Sequence, residues 1–136
     1  MKDKKTYCFD LDGTLCTQTR REDGKPEQNP EEVYRQATPI QNRIDVVNAL
    51  YDGGNKIYID TARGTKHPDK RAQWLKITEE QLEKWGVKYH GLRLGIKLVA
   101  DIYVDDMAQS DLNFFESPRS YTFELDSTQD LFKSNK

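Results

Sequence analysis

The chain has 136 residues, 35% of them hydrophobic, which is material for one domain with one modest core. Lys and Arg number 21 against 23 Asp and Glu, a formal charge of −2, so no basic excess marks a nucleic-acid surface. No apolar run approaches membrane-spanning length, and MKDKKTY leads straight into a short strand instead of a signal-peptide core. A cytoplasmic protein with neither membrane nor nucleic-acid partners is expected.

Residues 6–10, TYCFD, read as a short buried strand that ends at the Gly13-Thr14 turn. Residues 17–38 are polar and charged, with Gly24, Pro26 and Pro30 breaking any long element, so a loop or flap is expected there. Arg20, Arg21 and Lys25 within it are candidate substrate contacts, although charges in a loop are usually just solvated. Next, Ile40, Ile44, Val47, Leu50 and Tyr51 recur at helical spacing, and Gly53-Gly54 supplies a stop. NKIYIDTARG then gives a β-branched and aromatic strand, completing a βαβ unit and implying a parallel pair.

KRAQWLK is compatible with a helical turn or two. TEEQ at 78–81 has the form of a capping box, with Ile77 and Leu82 as its staple, so a separate helix is expected from Thr78 to about Trp85. Gly86 would stop it. Strands are expected within 87–94 and at DIYV, 101–104, and a further one at YTFEL, 121–125. Residues 117–136 read as an irregular C-terminal segment of the single 1–136 domain. The alternation of strands and helices argues an α/β domain with a mainly parallel sheet.

Parallel sheets bind ligands beyond the carboxyl ends of their strands, and three of the expected strands end in polar groups: Asp10 and Asp12, Thr61 and Arg63, Asp105 and Asp106. Lys97 precedes the last of these strands. Two carboxylates two residues apart repel unless a turn redirects them or a cation sits between them. The inventory suits phosphoryl chemistry with Mg²⁺, which prefers oxygen ligands. Asp10 could carry the phosphoryl group as an aspartyl-phosphate, and Asp12 could protonate the leaving oxygen and later take a proton from water. Thr61 and Lys97 would hold the phosphoryl oxygens. Gly13, Thr14 and Arg63 complete the expected substrate surround, with structural pairing to a nearby acid the favoured role for Arg63. Cys8 and Cys16 read as small buried or half-buried residues, not nucleophiles, and His67 and His90 lack zinc-site spacing.

FDLDGTLC, IYIDTARG, the lysine of GIKLVAD and DIYVDD, in that order, resemble the four motifs of the haloacid dehalogenase superfamily of phosphatases. TARG followed by WLKITEEQLEKWGVKYHGLRLG is similar, more narrowly, to its small capsule and polysaccharide biosynthesis phosphatases. The resemblance implies a Rossmann-like core, Asp10 as nucleophile, Asp12 as acid and base, and Mg²⁺ held by Asp10, the Asp12 carbonyl and Asp105. Asp106 would be an outer ligand or a partner for Lys97. The lysine motif departs from the common Gly-Lys-Pro, with Ile96 before Lys97 and Leu98 after it. Asp60 also departs from the pattern, and either points away from the site or adds a contact. The stretches between motifs are filled by expected helices and leave no room for a cap domain. An open site follows, covered at most by the 17–38 flap or by a second subunit, and taking a sugar phosphate or similar metabolite. The alternative is a catalytically weak phosphate-binding or regulatory domain that partners a sugar-transfer enzyme.

Overall fold

Among the described residues three short strands form the sheet: β1 (Thr6–Phe9), β2 (Lys56–Thr61) and β3 (Gly91–Leu94). They belong to a computed structural model that describes residues 4–17 and 30–116. In β2 alternate side chains, Ile57, Ile59 and Thr61, are buried, as the period of a strand requires. Within this sheet the pairing is parallel in the order β1-β2-β3, with Phe9 opposite Ile59 and Thr61 opposite Leu94. Parallel neighbours need crossovers, and α2 (Gln41–Asp52) and α3 (Arg71–Lys84) supply them. The result is a small α/β domain, a parallel sheet flanked by helices, with no separate cap among the described residues.

The main core joins Phe9, Leu11 and Leu15 to Ile44, Val47 and Leu50 of α2, to Ile57 and Ile59, and to Leu82. Each such side chain, fully buried, contributes roughly 1.5–3 kcal/mol of transfer free energy. A second cluster packs Trp74 and Ile77 of α3 on Leu94. Gly54, at a φ of 96°, ends α2 where a side chain would be strained. Just beyond, buried Asn55 takes the Lys5 N–H at 2.9 Å and donates to the Leu50 carbonyl at 3.0 Å, tying β1 to the end of α2.

Several expectations need correction. The 78–85 helix is not separate: α3 runs unbroken from Arg71, and Thr78 lies in its middle with no free N–H to cap. Trp74, Ile77, Thr78, Gln81 and Leu82 instead share one inward stripe at helical spacing, which overrides the local capping pattern. The 17–38 segment is not all loop, since α1 (Pro30–Arg35) lies within it. The strand within 87–94 is confined to its last four residues.

DIYV forms no strand. Its alternating side chains find no neighbouring ladder; Ile102 and Val104 are exposed, and the backbone folds back so that the Tyr103 hydroxyl donates to the Leu98 carbonyl and accepts the Ala100 N–H. A short helix, α4 (Asp111–Glu116), follows and sets Phe114 against Tyr7 and Phe9. The YTFEL strand and the flap cations Arg20, Arg21 and Lys25 lie outside the described residues.

Candidate active site

The site begins where β1 stops. After Phe9 the chain turns tightly, with the Leu11 carbonyl accepting from the Thr14, Leu15 and Cys16 N–H groups at 3.0, 2.8 and 3.3 Å. Gly13 has a φ of 83° and donates its N–H to the Cys16 carbonyl at 2.9 Å, a conformation that a side chain would strain. Gly13 and Thr14, expected to bind substrate, thus spend their amides on the turn. Thr14 keeps one contact with the chemistry: its hydroxyl donates to Asp10 Oδ2 at 3.3 Å.

The turn separates the two carboxylates, and each meets its own cation. Asp10, with 39% of its side chain exposed, takes Lys97 Nζ on Oδ1 at 3.1 Å. Asp12, 13% exposed, is gripped by Arg63 through both oxygens: Nε to Oδ2 and Nη2 to Oδ1, each at 2.8 Å. A fork-to-fork pair of this kind fixes direction as well as charge. The buried Cys16 thiol adds a weak donor to Asp12 Oδ1 at 3.4 Å. Burial, and then the Asp12 charge, push the Cys16 thiol far above the ordinary cysteine range, so it stays protonated and is no nucleophile.

Arg63 is 3% exposed, and its guanidinium faces inward. Nη1 donates to Thr78 Oγ1 at 3.2 Å and to Gln81 Oε1 at 2.6 Å, while the Tyr34 ring of α1 lies 4.9 Å away against its face. Burial alone would lower its pKa; the Asp12 hydrogen bonds and charge raise it instead. Four of its five N–H groups are engaged, so Arg63 does not present a free fork to a substrate phosphate. The acid-pairing role is the one observed, and substrate binding by Arg63 is corrected accordingly.

Thr61 also departs from expectation. It lies on the core face of β2, 1% exposed, with its hydroxyl accepting the Arg63 N–H at 3.2 Å inside the TARG turn. Strand alternation puts its neighbour Asp60 on the opposite face, beside Cys8 and 3.9 Å from Arg93 Nε. Burial, then Asp60, raise the Cys8 thiol pKa, while Lys97 and Arg93 oppose and Asp10 adds to it. Asp60 thus points to the face opposite Thr61, toward Arg93.

Asp105 and Asp106 lie on the exposed segment after β3, where Asp105 Oδ1 accepts the Met107 N–H at 2.7 Å. Among the described residues no three His, Cys, Asp or Glu side chains gather as a metal group. The donor chemistry is that of a hard cation: Asp10 is met by Lys97, the Asp12 side chain but not its carbonyl is taken by Arg63, and Asp105 and Asp106 lie on the exposed segment after β3. A magnesium ion here would draw on the open Asp10 carboxylate, the Asp12 carbonyl and Asp105, with Asp106 as an outer partner, which are the hard oxygen donors that such an ion prefers. Lys97 itself is steadied by the Tyr103 ring, 5.5 Å from Nζ.

Four residues escaped sequence reasoning. Tyr34 and Gln81 frame Arg63, and Gln81 Nε2 also donates to the Tyr34 carbonyl at 2.7 Å, joining α1 to α3. Thr78, expected to cap a helix, accepts from Arg63 Nη1 instead. Arg43, on α2, donates to the Thr14 carbonyl at 3.1 Å and to Asp111 at 2.7 Å, fastening the DLDGT turn to α4. The helical stripe through Trp74 and Leu82 is the one signal that could have turned Thr78 and Gln81 toward Arg63.

No family model matches the chain, and none of the curated proteins matches it. Among solved structures it is similar to the crystal structure of an MCSG target from Vibrio cholerae, 24% identical over 97% of this chain and 99% of that one, with a TM-score of 0.65. This is a likeness of fold. A chain of a Pnkp1/Rnl/Hen1 complex is 22% identical, covering 84% of this chain and 34% of that one, with a TM-score of 0.46. A chain of a Pnkp1/Rnl/Hen1 RNA repair complex is 17% identical, covering 93% and 33%, with a TM-score of 0.45.

Proposed function

We propose that the chain is a phosphomonoesterase of the haloacid dehalogenase type, magnesium-dependent, acting on a sugar phosphate or related metabolite through a phosphoryl group carried on Asp10. One observation carries the reading: Asp10 stands half-open at the carboxyl end of β1, oriented by Lys97 and Thr14, while Asp12 is held apart from it by Arg63. A nucleophile and a proton carrier need that separation of tasks. The magnesium requirement rests on the motif resemblance alone, and no step below runs through it.

In the first half-reaction an Asp10 carboxylate oxygen attacks phosphorus, the bond to the ester oxygen breaks, and Asp12 supplies that oxygen with its proton. In the second, Asp12 takes a proton from water as the water oxygen attacks phosphorus, and the Asp10 oxygen leaves. Lys97, within hydrogen-bond reach of Asp10, offsets charge on the phosphoryl oxygens as it shifts between donor and acceptor. Absence of a cap among the described residues supports an open site that takes either a small metabolite or a bulky phosphorylated end.

The test is phosphate release from p-nitrophenyl phosphate, phosphorylated sugars, nucleotides and phosphate-terminated polynucleotides, in Mg²⁺ and in EDTA. Release in Mg²⁺ that falls to background in Asp10→Asn supports the reading. Release that survives Asp10→Asn contradicts the nucleophile, and no release from any substrate contradicts the hydrolase.

A further inference from the structure

We infer that Arg63 is a positioning residue for proton transfer: held by Thr78 and Gln81 of α3 and by the Tyr34 ring of α1, it aims the Asp12 carboxylate at the ester oxygen. This rests on the hydrolase reading above and gives Arg63 a role there that substrate binding does not. The two 2.8 Å contacts to Asp12 use both carboxylate oxygens, so the pair can be rotated only by moving Arg63. Arg63 in turn is fixed from three sides. Thr78 and Gln81 sit one helical turn apart on the inward stripe of α3 and take both protons of Nη1. Tyr34 closes the ring face and, through its hydroxyl, accepts the Gly64 N–H at 3.0 Å, locking the turn that carries Arg63.

Gly64 makes this closure possible. At a φ of 80° it approaches Trp74 so closely that a Cβ would lie 2.7 Å from the indole Cδ1. The same indole meets Tyr34 edge-on at 5.5 Å. The orientation of Asp12 is therefore set by α3 and α1, whereas Asp10 is oriented by Thr14 and Lys97. Proton delivery to the ester oxygen matters most when the leaving group is a poor one, so the consequence is selective in substrate.

The experiment compares p-nitrophenyl phosphate, whose leaving group needs little protonation, with glycerol phosphate, whose alkoxide needs a proton. Arg63→Lys, Arg63→Met and Gln81→Ala are measured beside Asp12→Asn in the full chain. The expected result is a loss in kcat of about 100-fold for Arg63→Met on glycerol phosphate and under about 10-fold on p-nitrophenyl phosphate, with KM unchanged. Arg63→Lys keeps the charge without the fork and should fall between. Adding Asp12→Asn to Arg63→Met should cost nothing further on glycerol phosphate. Gln81→Ala, which spares both charges, keeps the test open if Arg63→Met does not fold; it should show a smaller loss with the same leaving-group dependence.

Equal losses on the two substrates, a change confined to KM, or additivity with Asp12→Asn would overturn the positioning role and leave the hydrolase standing. A parent chain that releases no phosphate from either substrate overturns both.

Discussion

Two ion pairs of identical length lie in different surroundings, and they make the buried one measurable. Arg63 meets Asp12 at 2.8 Å with side-chain exposures of 1% and 13%; Lys88 meets Asp52 at 2.8 Å with exposures of 47% and 48%. Arg63→Met keeps most of the side-chain bulk but strands a carboxylate with little water to receive it, and leaves Thr78 Oγ1 and Gln81 Oε1 without their donor. Breaking one side of a buried pair costs roughly 3–5 kcal/mol. The remaining 13% exposure of Asp12 sets the expectation at the lower end, about 3 kcal/mol. For a chain of this size that is a fall in Tm of about 10 °C. Lys88→Met should cost about 1 kcal/mol or less, since exposed pairs are screened and entropically costly to hold. Urea denaturation with unchanged slope reads both. A cost for Arg63→Met within about 0.5 kcal/mol of that for Lys88→Met would refute the claim that burial, not distance, gives this pair its weight.

Lys97→Met separates function from stability: its pair with Asp10 is partly exposed, so unfolding should shift by less than about 1 kcal/mol, while turnover falls by about 100-fold. Equal and small effects on both would contradict its place beside the phosphoryl group. Gly64→Ala meets both the left-handed backbone and the Trp74 indole, and should lower stability by about 2 kcal/mol, read by urea denaturation. In alkali the sign is fixed by the thiols and one phenol. Cys16, Cys8 and Tyr89 all have folded pKa values raised above the ordinary 9.0 for the thiols and 10.0 for the phenol. The folded chain thus keeps protons that the unfolded chain releases, so stability is full below pH 9.0 and declines as pH rises above it. Cys16→Ala should flatten that decline relative to the parent, as measured by Tm between pH 8 and pH 10.5.

Apolar, β-branched and aromatic runs made β1 and β2 legible, though β1 is not buried throughout, with Thr6 and Cys8 exposed, and the Ile40-to-Tyr51 spacing gave α2 nearly to its ends. The polar ends of β1 and β2 likewise pointed to Asp10 and Asp12, and the pairing of Arg63 with an acid was readable as a chemical need. Which acid was not readable, because Asp12 and Arg63 are far apart in sequence and meet only when β1 and β2 pair in register. TEEQ misled for a related reason: a threonine is at home mid-helix once a tertiary partner, here Arg63, takes its hydroxyl as acceptor in place of a helix-end N–H. Thr61 falls on the core face through the strand parity that buries Ile57 and Ile59, and Asp60 on the opposite one. DIYV shows the limit of pattern alone, since an alternating apolar run becomes a strand only where another strand offers it a ladder.

The central claim is that Asp10 becomes phosphorylated, and the direct measurement is chemical trapping during turnover. The chain is mixed with p-nitrophenyl phosphate and Mg²⁺, quenched in acid and reduced with borohydride, which converts an aspartyl-phosphate to homoserine, and the peptide holding FDLDGTLC is sequenced by mass spectrometry. Homoserine at position 10, absent without substrate and absent in Asp10→Asn, is the predicted result. Steady phosphate release with no homoserine at that position, or with homoserine at another aspartate, would contradict it.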